Sequence, residues 1–172
     1  MTHNLTPAPL HAERLVPRRS VTAAAAWTVP VVAVAVATPS AAASSTDVGS
    51  FALRGTCGTL GILGPGFALQ AGPTASLPVG TTVIITGSGV ASIGVFSVSG
   101  GSADVLVLSG TSRQITLTAD LPAGATITFR TTLSISVAFR LNAVASLPTG
   151  YVGTGAKTAG FVSSTLILCS AN

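Results

Sequence analysis

Histidine, glutamate, tryptophan and methionine are absent from residues 44–172 of this 172-residue chain; the 2 His, 1 Met and 1 Trp all lie nearer the N-terminus. Charge is scarce too, at 7% of the whole chain. After residue 43 the charged side chains are Asp47, Asp104, Asp120, Arg54, Arg113, Arg130, Arg140 and Lys157. Each shortage removes a class of chemistry. Without His, a hydrolytic triad needs another base, and Lys157 in the glycine-rich stretch Gly150–Gly160 reads as a solvated charge. Paired-carboxylate chemistry would rest on Asp104 and Asp120, yet Asp120 stands in Ala119-Asp120-Leu121-Pro122, where Asp is a routine turn residue. Zinc lacks ligands, and calcium lacks an Asp-x-Asp run. No metal, cofactor or catalytic residue is therefore expected, and an enzyme reading would need Asp104, Asp120 and Arg113 to converge in one pocket.

The net charge of +4 and pI of about 10.1 come from only 8 basic residues, too thin a footprint for nucleic acid. A hydrophobic content of 48% excludes disorder. No unbroken run of about 18 apolar residues marks a membrane span. The length fits one domain.

What is present divides at residue 43. Arg18-Arg19-Ser20-Val21 precedes an Ala/Val-rich stretch, Thr22 to Ala37, interrupted by Pro30, and then Thr38-Pro39-Ser40-Ala41-Ala42-Ala43. A basic segment, a short apolar core and a small-residue site are the three parts of an export signal. Ala41 and Ala43 supply the small side chains a signal peptidase needs, placing cleavage before Ser44, with Ala42 as the alternative last residue removed. A buried Ala/Val helix is the competing reading, but nothing after residue 45 has helical periodicity for it to pack against. The paired Arg18-Arg19 before a modestly hydrophobic core resembles a twin-arginine (Tat) signal of high-GC Gram-positive bacteria, with the general secretory route as the alternative. The resemblance implies export machinery as a partner, a signal over residues 1–43 and a secreted or cell-surface domain over 44–172.

That domain reads as strands and turns. Over residues 125–141 the odd positions are apolar with one exception (Ala125, Ile127, Phe129, Thr131, Leu133, Ile135, Val137, Phe139, Leu141), and the even ones are mostly polar. This is the period of a half-buried strand. One strand that long would span about 56 Å at about 3.3 Å per residue, so a bend or bulge is expected near Thr131-Thr132. Arg130 and Arg140 are then expected on the solvent face. Further β runs are Ser50–Thr56, Gly66–Gln70, Thr81–Thr86, Ser92–Ser97, Asp104–Leu108, Gln114–Ala119 and Phe161–Cys169. Val105-Leu106-Val107-Leu108 and Val83-Ile84-Ile85, apolar on both faces, suit central or doubly covered strands. About eight short strands predict an all-β fold, a single β-sandwich.

A phrase recurs: Leu77-Pro78-Val79-Gly80, Leu121-Pro122-Ala123-Gly124 and Leu147-Pro148-Thr149-Gly150. Pro at the second turn position and Gly two residues later predict a turn into the next strand. These turns resemble the Leu-Pro-x-Gly turns of immunoglobulin-like modules in bacterial surface proteins, which implies a related sandwich. Leu147-Pro148-Thr149-Gly150 lacks the residue that a sortase signal carries between Pro and Thr, so wall anchoring by that route is not expected.

Cys57 and Cys169, the 2 Cys of the chain, fall in the first and last predicted strands. Phe51 and Leu53 share a face with Cys57, as Phe161 and Ile167 do with Cys169, so both cysteines are expected to point inward. In an exported chain they predict a disulfide, worth about 4.7 kcal/mol in the chain-entropy model for a loop of more than about 100 residues. The separation exceeds the roughly 60 residues of an immunoglobulin inter-sheet disulfide, so a different topology is expected.

Binding candidates are few. Tyr151, in the glycine-rich stretch, is the ring most open to a ligand, with Arg130 and Arg140 as the cations of the long strand. The expected function is a non-catalytic structural or recognition module of the cell envelope. Its uncharged sheet edges suggest association with itself or with an envelope partner. A secreted carbohydrate- or small-ligand-binding domain is the alternative, with an apolar void between the sheets as its mark; behind it stands a hydrolase working without His.

Overall fold

Short runs of Val, Ile, Phe and Thr cut by Gly and Pro form twelve strands and no helix among the described residues, which in the computed structural model are 44–58, 64–133, 138–165 and 168–172. In chain order they are β1 (Thr46–Asp47), β2 (Ala52–Thr56), β3 (Gly66–Gln70), β4 (Thr82–Ser88), β5 (Phe96–Ser99) and β6 (Ala103–Ser109). There follow β7 (Ser112–Leu117), β8 (Thr126–Thr131), β9 (Phe139–Ser146), β10 (Tyr151–Val152), β11 (Ala159–Thr165) and β12 (Leu168–Ala171). A six-stranded sheet, in the order β12-β11-β9-β4-β7-β6, and a four-stranded sheet, β2-β3-β8-β5, are each antiparallel throughout. The short pair β1-β10 is parallel.

The fold is an all-β sandwich, with twelve strands where about eight were expected. Two of the additional strands are β1 and β10. The other two arise because each of the two longest predicted strands is really a pair. The stretch expected to bend near Thr131-Thr132 leaves the four-stranded sheet at Thr131 and re-enters as β9, in the six-stranded sheet, at Phe139. Thr131 is buried, its hydroxyl donates to the Ile93 carbonyl, and it accepts the Leu133 N–H at 3.3 Å. A side-chain bond of this kind draws the backbone away from ladder pairing and ends the strand. The parity survives the change of sheet, so Ile127, Phe129, Phe139 and Leu141 all face the core. The predicted strand 161–169 is likewise the β11–β12 hairpin. Its inward residues are Val162 and Ser164; Phe161 lies on the outer face, contrary to the parity argument, because Cys169 belongs to a different strand. Ile167 lies outside the described residues.

The core is the space between the sheets. Leu53, Phe67, Leu69, Ile127 and Phe129 of the smaller sheet meet Val83, Ile85, Ile115, Leu117, Leu141 and Val162 of the larger. Burying each such side chain contributes roughly 1.5–3 kcal/mol relative to leaving it in water.

The recurring Leu-Pro-x-Gly phrases do form turns, displaced by one residue from expectation. The closing bonds run from Thr81 N–H to the Pro78 carbonyl (3.2 Å), Ala125 N–H to Pro122 (3.0 Å) and Tyr151 N–H to Pro148 (3.2 Å). Pro is therefore the first turn residue and Gly the third. Gly80, Gly124 and Gly150 have φ of 85°, 73° and 89°, the positive values a type II turn requires there. Leu77 and Leu121 exchange backbone bonds of 2.9 Å, joining two of the turns at one end of the sandwich.

Candidate functional site

The residues proposed from sequence as a binding set are spread over the molecule. Arg130 is half-buried on the outer face of the four-stranded sheet, donating to the Gly64 carbonyl at 3.1 Å. Arg140 is exposed on the outer face of the other sheet, lying over the Phe161 ring at 4.8 Å and donating to Asn142 Oδ1 at 3.1 Å. Tyr151 is exposed in β10. The two arginines thus face away from each other, and the three residues form no common site.

Nor do Asp104, Asp120 and Arg113 converge. Asp120 accepts the Val79 N–H at 2.7 Å within the paired turns. Asp104 is exposed on β6. Arg113 points inward from β7 and is buried, its guanidinium donating to the carbonyls of Gly94 (2.9 Å), Ser112 (2.9 Å) and Ser109. It staples the β6–β7 turn to the segment before β5. Among the described residues there is no cluster of three or more His, Cys, Asp or Glu side chains. A cleft of about 190 Å³ opens on the outer side of the smaller sheet beside Arg54, Gln70 and Pro73, smaller than the roughly 300–1,000 Å³ of small-molecule sites.

Two flanks of the sandwich carry the remaining features. On the first, Cys57 and Cys169 form the expected disulfide, with Cα atoms 5.8 Å apart. Next to it the free side of β2 is covered: Leu53 N–H donates to the Lys157 carbonyl (2.7 Å), Lys157 N–H to Phe51 (2.8 Å) and Gly55 N–H to Asn172 (2.8 Å). Gly55 permits this closeness, since a Cβ there would lie 1.9 Å from the Phe161 carbonyl oxygen. The N-terminal strand is tied in by Asp47, whose Oδ1 accepts the N–H groups of Gly49 (2.8 Å) and Thr154 (3.0 Å). Hydrogen bonding, first from the Thr154 side chain and then from the two backbones, holds this carboxyl below its usual range.

On the opposite flank β6 ends the six-stranded sheet, and among the described residues no strand pairs with its outer side. Leu106, Val107 and Leu108 are 57%, 64% and 48% exposed, against the sequence expectation of a central or doubly covered strand. At seven residues β6 is longer than the other end strands β2, β5 and β12. Its pairing with β7 continues past its start, where Thr118 N–H donates to the Ser102 carbonyl at 3.1 Å. That bond makes Ser102–Thr118 a hydrogen-bonded pair, and antiparallel ladders alternate. The main-chain groups of Asp104 and Leu106 therefore turn toward β7, while those of Ala103, Val105 and Val107 turn outward, unpaired. The ladder slips by a bulge between Val107 and Ser109. Across the outer face, Leu106, Gln114, Ile84, Val144 and Ala159 stand in register as one transverse row, in which Ile84 is 41% and Val144 51% exposed.

The apolar run of β6 was visible in sequence, but its position was not. A strand apolar on both faces fits a covered centre and also an edge that presents both faces to water. The nearby signal was the Gly100-Gly101 before it and the tight Ser109-Gly110-Thr111 turn after it, the marks of a hairpin arm.

Arg18, Arg19, Ala41 and Ala43, the residues expected from sequence to form an export signal, lie outside the described residues; Ser44 is the first described. No helix among the described residues is long and apolar enough to cross a membrane. No family model matches the chain, and no curated protein matches it. Among solved structures it is similar to the reeler domain of human F-spondin, at 9% identity and a TM-score of 0.39, over 74% of this chain and 99% of that one.

Proposed function

We propose that this protein is an exported, non-catalytic β-sandwich module of the cell surface or extracellular space, which acts by accepting an extended chain along β6. One observation carries the reading: β6 offers unpaired backbone groups at Val105 and Val107, next to exposed aliphatic side chains and a single charge, Asp104. Edge strands are ordinarily guarded by charge, Pro or a covering segment. Here the β2 edge has a covering segment, and β6, the longer strand, has none among the described residues. Strand addition to such an edge draws affinity from main-chain bonds and specificity from alternate side chains. The Arg18-Arg19 signal and the disulfide support export, since disulfides persist mainly in oxidising compartments.

A charge-free heptapeptide of alternating Val and Thr tests the edge. It is expected to protect the Val105 and Val107 amides from hydrogen exchange. Val107→Pro removes an outward N–H without breaking a bond to β7, so it should abolish that protection and leave the melting temperature nearly unchanged. Unprotected amides at saturating peptide would overturn the reading. Recovery of the chain outside the cell with Ser44 at its N-terminus tests the export half.

A further inference from the structure

Resting on that reading, we propose that the chain β6 accepts is β6 of a second copy, antiparallel, with Leu106 on the two-fold axis. The register follows from which groups are free. Outward groups sit at Ala103, Val105 and Val107, so only registers placing odd residues opposite odd residues can form a ladder. Three arrangements use this straight segment. Centring on Asp104 sets the two carboxylates directly opposite each other, a repulsive pairing. Centring on Val105 sets Asp104 against Leu106 and leaves the carboxylates diagonal neighbours across the axis. Centring on Leu106 pairs Val105 with Val107 on both sides, sets Leu106 against Leu106 and parts the two Asp104 side chains to opposite ends of the ladder.

The third arrangement also answers to the exposed side chains. Val107, 64% exposed although it shares the face of the inward Arg113, gains Val105 of the other copy as its cross-strand partner. Leu106 ends the row that runs through Gln114 to the exposed Ile84 and Val144, and the axis sets it against its own counterpart in the second six-stranded sheet. A two-fold contact uses the β6 edge of each copy, so pairing along β6 closes at two copies. The bulge between Val107 and Ser109 limits the ladder's length. An interface of a few strand residues falls under the roughly 1,000 Å² of stable complexes, so the dimer is weak, micromolar or above.

Because position 106 faces itself, charge substitutions there have a distinctive outcome. Sedimentation equilibrium of the full chain over a concentration series should show a monomer–dimer equilibrium. Leu106→Lys and Leu106→Glu should each weaken it at least tenfold, and an equimolar mixture of the two should dimerise again as a heterodimer. Wild type that stays monomeric to millimolar concentration overturns the proposal; so does a Lys/Glu mixture as monomeric as its components, or a Leu106→Lys variant that dimerises like wild type. If the Val-Thr peptide protects Val105 and Val107 while the chain stays monomeric, self-pairing falls and the open-edge reading stands. If the peptide also fails, both fall.

Discussion

Along β2 the sandwich is closed by a covalent bond, by backbone bonds from Lys157 and Asn172, and by the glycine that lets β2 lie against β11. Along β6 it has none of these among the described residues, and Leu106, Val107 and Leu108 meet water. The edge strands of both flanks carry one charge each, Arg54 in β2 and Asp104 in β6, beside aliphatic residues. The difference is chain topology: both ends of the described unit return to the β2 side, β1 pairing with β10 and β12 ending beside β2. Segments distant in sequence thus cover the β2 edge, and among the described residues none reaches the outer side of β6. Sequence composition alone cannot distinguish the two edges, since what guards β2 is backbone from distant residues.

The comparison implies that stability concentrates on the closed flank. Its largest expected test is the disulfide, which joins residues separated by 112 positions. Removing it with Cys57→Ser and Cys169→Ser together should cost about 2–5 kcal/mol, read as a lowered denaturation midpoint against the oxidised chain. Equal midpoints would mean the flank is held without it. Next comes Gly55→Ala. The new Cβ would meet main-chain atoms of Phe161, which cannot swing away as a side chain can, so the strands must separate at a cost of about 1–3 kcal/mol. The same exchange at Gly124, where a Cβ meets nothing within 4 Å, tests only the positive φ and should cost less. If Gly124→Ala proves the more damaging, close approach is not what makes the β2 flank tight.

How much of this was legible beforehand depended on whether a feature is local. Period-two alternation placed Ile127, Phe129, Phe139 and Leu141 in the core correctly, because parity is a property of neighbouring residues. The Gly66–Gln70 strand was read to the residue for the same reason. The disulfide follows from two cysteines together with the expectation of export. The change of sheet after Thr131 was not legible, since it depends on the buried Thr131 hydroxyl meeting Ile93, far away in sequence. The mistake over Val105–Leu108 is of the same kind: aliphatic content reports what a strand's faces prefer, not which neighbour the fold supplies. Tyr151, Arg130 and Arg140 are binding candidates by residue type alone, and type says nothing about convergence.

The smallest expected effect concerns how the N-terminal strand joins the closed flank. Asp47 bridges Gly49 and Thr154 as a carboxylate, and hydrogen bonds from the Thr154 side chain, then from the Thr154 and Gly49 backbones, lower its folded-state pKa below the ordinary aspartate value. A group depressed in the folded state contributes its stabilisation above the unfolded pKa and loses it as pH falls through the folded one. The tie should therefore persist through mildly acidic solution and fail only below the ordinary carboxylate range. Because Asp47 is fully exposed, the global melting temperature should hardly respond, and the signal should be local: faster exchange of the Thr154 and Gly49 amides as the carboxyl protonates. Asp47→Asn keeps an acceptor oxygen but has no proton to take up, so its Thr154 exchange, corrected for intrinsic rates, should lose the acid-dependent step. A step that survives in that variant would assign the pH dependence to another group. A Thr154 amide equally protected on both sides of the transition in wild type would show that β1 is held by its pairing with β10, the carboxylate adding nothing.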